Sequence, residues 1–169
     1  MTADVAAAAA HGEFTDHGTP HGSTSITPFL CLPDVRAALS FYEHAFDAEV
    51  LDVTEVGGSV VHAVLDFGNG QLQLGEPSPA YRLIEAPGGE DDYYSLSLYC
   101  ADVDATVTRA ELAGATIRMP VTTFVSGDRY GSIRDPFGVR WSVMTRVEDL
   151  SPAESARRVA AWAASQVSD

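Results

Sequence analysis

Apolar and polar positions change rhythm twice along this chain, each time in the same order. The stretch "SITPFLCLPDVRAALSFYEHAFDAEV", from Ser25, opens as a strand-forming run and passes through Pro33-Asp34. It then places Val35, Ala38, Leu39, Tyr42, Ala45 and Phe46 on one side of a helix. Asp34 is the natural N-cap, because a short carboxylate there can accept from the free amides of the first turn. The stretch "YYSLSLYCADVDATVTRAELAGATI", from Tyr93, follows the same plan. It has a strand, Asp102 as N-cap, a helix carrying Val103, Thr106, Val107 and Ala110, and a stop at Gly114. The two caps lie 68 residues apart. Hairpin patterns follow each helix, "VVHAVLDFGNGQLQL" turning at Asp66 to Gly70 and "RYGSIRDPFGVRWSV" turning at Asp135 to Gly138. Their leading aspartates lie 69 apart. An offset held to within one residue across a helix and several strands predicts an α+β chain built from two copies of a strand, helix, strand, strand, strand unit.

The units run over about residues 25–76 and 94–146, within a domain of 25–148. The segment between them, "GEPSPAYRLIEAPGGEDDYY", is rich in proline, glycine and acid and predicts a long surface connection. A third helix is expected within 149–169, where Ser151-Pro152-Ala153-Glu154 is a capping box with proline at the first helical position. Ala156, Val159, Ala160 and Ala163 follow at helical spacing. Residues 1–24 are alanine-rich, then rich in glycine, histidine, threonine and serine, without a sustained apolar period, and are expected to be a flexible tail. The tail holds His11, His17 and His21 beside glycines, an arrangement that binds transition metals weakly and equally suits a leader without a role.

Charge narrows the partners. The chain has 24 acidic residues against ten basic ones, a formal charge of −14, and every basic residue is arginine. Such a surface repels phosphate backbones and anionic headgroups, so nucleic acid and membrane are poor partners and a small molecule is favoured. Cys31 and Cys100 are too few for a disulfide framework and sit in apolar runs, as free thiols of a cytoplasmic protein do. Ala6 to Ala10 form neither a signal core nor a membrane span.

The paired units, the "FY" at Phe41-Tyr42, the "AGA" at Ala113 to Ala115 and the "DPFG" hairpin resemble the vicinal oxygen chelate superfamily, the glyoxalase, bleomycin-resistance and extradiol-dioxygenase fold. "SITPFLCLPDVRAALSFYEHAF" and "GDRYGSIRDPFGVRWSVMTRVEDLSP" are similar more narrowly to its PhnB-like branch. The resemblance implies that the two βαβββ units form a cupped mixed sheet with helices outside, a ligand held on the concave face, and commonly a homodimer. Metal-dependent members place one histidine or glutamate ligand on the first and fourth strand of each unit. Carried onto this chain, those positions are Thr27 and Ser95, seven residues before the cap aspartates, Ser142, seven after Asp135, and Gln73, inward if Leu72 and Leu74 pack as Trp141 and Val143 do. Hydroxyls and a carboxamide supply neither the charge nor the basicity to hold a divalent ion tightly, so no metal and no other cofactor is expected.

The expected cup lining is Thr27, Phe29, Gln71, Gln73, Ser95, Ser97, Tyr99, Ser142 and Met144. Arg129, Tyr130, Arg134 and Arg140 cluster near the second hairpin, where arginines suit a carboxylate or phosphate on a ligand, or else pair with Asp128 and Asp135. His62 is the one histidine within an expected strand, a candidate general base or a hydrogen-bonded structural residue. His44 reads as a surface residue, and Val139 stands after the "DPFG" glycine where many relatives carry histidine. No G-x-S-x-G or G-x-G-x-x-G element is present. Two classes stay open: a metal-independent small-molecule-binding protein and a glyoxalase-like lyase or isomerase.

Overall fold

A computed structural model describes residues 8–167. A short exposed hairpin, β1 (Thr15–Asp16) and β2 (Thr19–Pro20), precedes the first unit. That unit is β3 (Phe29–Cys31), α1 (Val35–Phe46), β4 (Glu49–Val56), β5 (Ser59–Asp66) and β6 (Gln71–Gly75). The second is β7 (Ser95–Tyr99), α2 (Val103–Leu112), β8 (Thr116–Thr123), β9 (Asp128–Arg134) and β10 (Arg140–Arg146), and α3 (Pro152–Gln166) follows.

Each unit makes a four-stranded mixed sheet of identical topology, in the orders β3-β6-β5-β4 and β7-β10-β9-β8. In both, the first strand lies parallel to the fourth and the remaining pairs are antiparallel. The duplication extends to the caps. Asp34 accepts from the amide of Ala37 at 2.9 Å and Asp102 from that of Ala105 at 3.0 Å, which supplies one of the orphan donors at each helix start.

Strand alternation then fixes the layers. Leu72 and Leu74 of β6 and Trp141 and Val143 of β10 are buried, and α1 and α2 bury the residues that their helical spacing marks. All but the polar Thr106 join one cluster, so the helix-facing sides of both sheets share a single core. Tyr42 of α1 sits at its centre, fully buried, with ring centroids 5.4 Å from Trp141, 6.3 Å from Phe137 and 6.5 Å from Phe67. Full burial of one such side chain is worth roughly 2–3 kcal/mol, so this aromatic group is a main bond between the units. A second link runs between the helices, where Arg109 donates to the carbonyl of Ala45 at 3.1 Å and pairs with Asp47 at 2.7 Å. The concave faces therefore lie on the far side of each sheet from the shared core.

Helix α3 buries no residue fully. It rests on the second unit through Trp162 against Phe124, 4.9 Å between ring centroids, and through Ser155, whose hydroxyl donates to the carbonyl of Ser126 at 2.9 Å. Ser151 caps it by accepting from the amide of Glu154, while the Glu154 carboxylate turns to Arg157 and Arg158.

Candidate functional site

On the first unit, register and alternation bring Phe29, Gln73 and Val64 into one row of the concave face, with Gln71 beside Asp66. Gly75 lies in the next row and makes room for the Phe29 ring. A Cβ there would stand 2.6 Å from the ring tip and 2.8 Å from the Val61 carbonyl oxygen, so only glycine fits. His62 shares this face: its ring lies 6.4 Å from that of Phe29, and Nδ1 lies 3.8 Å from a carboxylate oxygen of Asp52. Thr27 stands before β3 and bonds to Thr24, hydroxyl to hydroxyl at 2.8 Å, so it belongs to the rim. Gln71 donates to the carbonyl of Gly22 at 2.7 Å, which ties the end of the tail to this face.

On the second unit the concave face is three rows deep. Ser95, Arg140 and Arg134 pair at the hairpin end, Ser97, Ser142 and Ser132 in the middle, and Tyr99, Met144 and Tyr130 beyond. The hydroxyls of Ser95 and Ser142 lie 3.2 Å apart. The Tyr99 hydroxyl donates to Asp128, whose other partners are Ser126 and Arg146. Arg129 is on the opposite side, paired twice at 2.6 Å with Asp104 of α2. Arg129 and Tyr130 are neighbours on one strand and cannot share a face, so the expected arginine cluster loses one member. It gains Arg118 of β8, which the sequence did not single out: Arg118, Arg134 and Arg140 all surround Asp92 of the connecting segment.

Asp135 pairs with no arginine and plays another part. Its carboxylate accepts from the Tyr42 hydroxyl at 2.7 Å, the Trp141 indole at 3.0 Å, and the amides of Phe137 and Val139 at 3.0 and 2.8 Å. Burial pushes the Asp135 carboxyl above its usual range, against the opposing pull of these four donors. Burial, reinforced by the neighbouring Asp135, raises the Tyr42 hydroxyl well above its ordinary value. The group is a structural joint of turn, helix and sheet.

Two hollows border these faces. One of about 290 Å³ lies where Pro28 and the turn from Phe67 to Leu72 meet β7, with Gln71, Ser97, Tyr99 and Trp141 in its wall. The other, about 470 Å³, lies between the connecting segment and the second hairpin, lined by Ile84, Pro87, Tyr93, Tyr94, Arg134 and Phe137. Thr27, Gln73, Ser95 and Ser142 offer only neutral oxygens and an amide, which do not fit a catalytic divalent ion. Among the described residues, the group of three side chains able to hold a metal is His11, Asp16 and His17, exposed in the tail hairpin.

Two duplicated βαβββ units with open concave faces define a protein of the half-cup type, in which one scaffold carries many chemistries. The chain belongs to the Glyoxalase/Bleomycin resistance protein/Dioxygenase superfamily, whose model matches residues 25–143. It is 31% identical over 151 residues to an uncharacterized protein of Mycobacterium tuberculosis (strain ATCC 25618 / H37Rv), covering 86% of this chain and 88% of that protein. Among solved structures it is similar to TioX from Micromonospora sp. ML1, with a TM-score of 0.58 and 25% identity over 73% of this chain and 99% of that one. A PhnB protein from Bacillus cereus shares the fold at a TM-score of 0.57 and 19% identity, over 72% and 99% of the two chains. So does the fosfomycin resistance protein FosX from Listeria monocytogenes, solved with manganese and a phosphonic acid, at 0.56 and 15% identity, over 79% and 94%.

Proposed function

We propose that this protein binds a small molecule without a metal, in a cup closed by a second copy of the chain. The observation that carries the reading is the placement of the faces. Within one chain the helix sides of both sheets share the core, so each concave face is a half-cup without an opposite wall. Between them the two faces present Phe29 and Gln73 on the first and Ser97, Ser142 and Met144 on the second, a mixture of apolar and neutral polar side chains suited to a partly aromatic or amphipathic compound. A homodimer that sets the first face of one copy against the second face of the other supplies the missing wall on both sides. A cytoplasmic address accords with two free cysteines. No helix among the described residues is long and apolar enough to cross a membrane.

Light scattering on the purified chain should give a dimer, and mass spectrometry of its denatured supernatant a stoichiometric small molecule. Elemental analysis should find no transition metal that survives desalting. A stoichiometric metal retained by a variant lacking His11 and His17 would refute the metal-free cup. One observation favours a second reading, a lyase or isomerase: His62, the histidine of the ordered strands, lies on a concave face beside Phe29, with the Asp52 carboxylate near but at 3.8 Å not hydrogen-bonded to its ring. Turnover of a bound compound that is lost in His62→Gln while binding persists would establish it.

A further inference from the structure

Nine of the ten arginines, all but Arg82, are paired with carboxylates, and in two distinct ways. Arg36, Arg109, Arg129, Arg146, Arg157 and Arg158 each have a carboxylate oxygen within 2.6–2.9 Å. Arg118, Arg134 and Arg140 instead converge on the one carboxylate of Asp92, at 3.8, 3.6 and 3.5 Å, too long for good hydrogen bonds. A shortage of acid does not explain this in a chain with 24 acidic residues and ten basic ones. The Asp92 side chain is only 10% exposed, yet its Oδ1 has no hydrogen-bond partner, and neither does the buried Nε of Arg118. Burying charged atoms without a hydrogen bond carries a desolvation penalty, so the arrangement is a poor fit for a purely structural ion pair.

The rest of the contact is made by backbone. Arg134 donates to the carbonyl of Gly89 at 2.6 Å and Arg118 to that of Glu90 at 2.9 Å, while the Glu90 carboxylate reaches Arg118 only at 3.5 Å. Gly88 and Gly89 make this approach flexible, and Gly89 has φ +142°. The acidic segment thus lies across the hairpin end of the second concave face, where Arg140 also donates to Ser132 at 3.0 Å. The 470 Å³ hollow beside it shares Arg134 as a wall.

We propose that Arg118, Arg134 and Arg140 form the recognition site for a dianionic oxyanion group on a small ligand, and that Glu90 to Asp92 is a built-in stand-in which that group displaces. Three guanidiniums with planar donor forks match a group with two or three charged oxygens better than they match one carboxylate. Displacement moves the connecting segment and opens the cup rim to the adjoining hollow. The inference deepens the ligand-binding reading above and rests on it for the place of the ligand, but its test does not require the ligand to be known.

The experiment titrates the full chain with inorganic phosphate and, separately, with malonate, at fixed ionic strength, following heat of binding and melting temperature. Saturable binding at one site per chain is expected, stronger for phosphate if the natural group is phosphoryl and for malonate if it is a dicarboxylate. Asp92→Asn should tighten binding about tenfold, the equivalent of about 1.4 kcal/mol for an internal competitor removed. Arg134→Gln and Arg140→Gln should each weaken it at least as much, and either anion should speed proteolysis at Gly88-Gly89. Should Asp92→Asn fail to fold, Glu90→Gln and the proteolysis measurement carry the test. No saturable binding of either anion to wild type and Asp92→Asn overturns the proposal, as does unchanged or weaker binding by a folded Asp92→Asn. A neutral molecule that co-purifies and stays bound to Arg134→Gln would leave the cup reading standing while the anion site falls.

Discussion

The two units share a skeleton and differ on the face that meets a ligand. Sheet order, parallel pairing and helix caps coincide, and so does the buried series Leu72 and Leu74 against Trp141 and Val143. The concave faces diverge: the first carries Phe29, His62 and two glutamines over a glycine, the second serines, Met144 and a row of arginines under an acidic strap. Positions that make the core have one physical solution, whereas positions that face outward are free to take any chemistry the fold does not forbid.

The sharpest asymmetry is between the two turn aspartates. Asp66 accepts only from the Gly68 amide, at 2.6 Å on the surface, whereas Asp135 holds a tyrosine, a tryptophan and two amides in the interior. Asp135→Ala should therefore cost about 3–5 kcal/mol in urea unfolding, because four buried donors lose their acceptor, and Asp66→Ala about 1 kcal/mol or less. Equal losses would mean that the second hairpin does not anchor the units. Protonation adds a sign. Burial raises the folded pKa of Asp135, so its contribution is complete below the ordinary carboxylate range and declines as pH climbs through the raised value. Stability of wild type relative to Asp135→Asn should accordingly fall as pH rises from acid toward neutral.

The next effect isolates the first face. Gly75→Ala forces a methyl to within 2.8 Å of the Val61 carbonyl oxygen, which is backbone and cannot swing away, and to within 2.6 Å of the Phe29 ring. A loss of about 1–3 kcal/mol is expected, with Phe29 driven from its place beside Gln73. The equivalent row of the second unit holds Met144, so Met144→Ala, which only removes contacts on a half-buried surface, should cost less. The reverse order would show that Phe29 is not packed where the geometry puts it.

How much of this the sequence announces depends on whether the information is local. Asp34, Asp102 and the helical spacings are legible because a cap and an amphipathic face act within a few residues. Leu72 and Leu74 are legible by the same logic applied to strands. Thr27 misses its strand because counting from a cap carries no information about where pairing begins. Arg129 falls outside the cluster by a rule that is itself local, since strict alternation along β9 separates it from Tyr130. The bond from Asp135 to Tyr42 spans 93 residues and the strap of Asp92 lies in a segment without periodicity, so only tertiary packing reveals either. A run of acids opposite arginines that alternate with core residues was the one available hint.

The smallest expected effect concerns a support that the first unit lacks altogether. Helix α3 leans on the second unit through Trp162 and Ser155, and Arg158 links Glu148 to Glu154 at 2.8 and 3.0 Å. Hydrogen bonds from Arg157 and Arg158 draw the Glu154 carboxyl down from 4.5 to about 2. A lowered folded value means that the contribution is present above the ordinary glutamate range and fades as pH drops toward 2. The pairs are solvent-exposed and screened, so Glu154→Gln should lower the melting temperature by no more than about 2 °C at neutral pH. That difference should shrink with added salt and vanish in acid. A difference that persisted in acid would assign the loss to the helix cap rather than to the ion pairs, because Ser151 accepts from the Glu154 amide whatever the charge of the side chain.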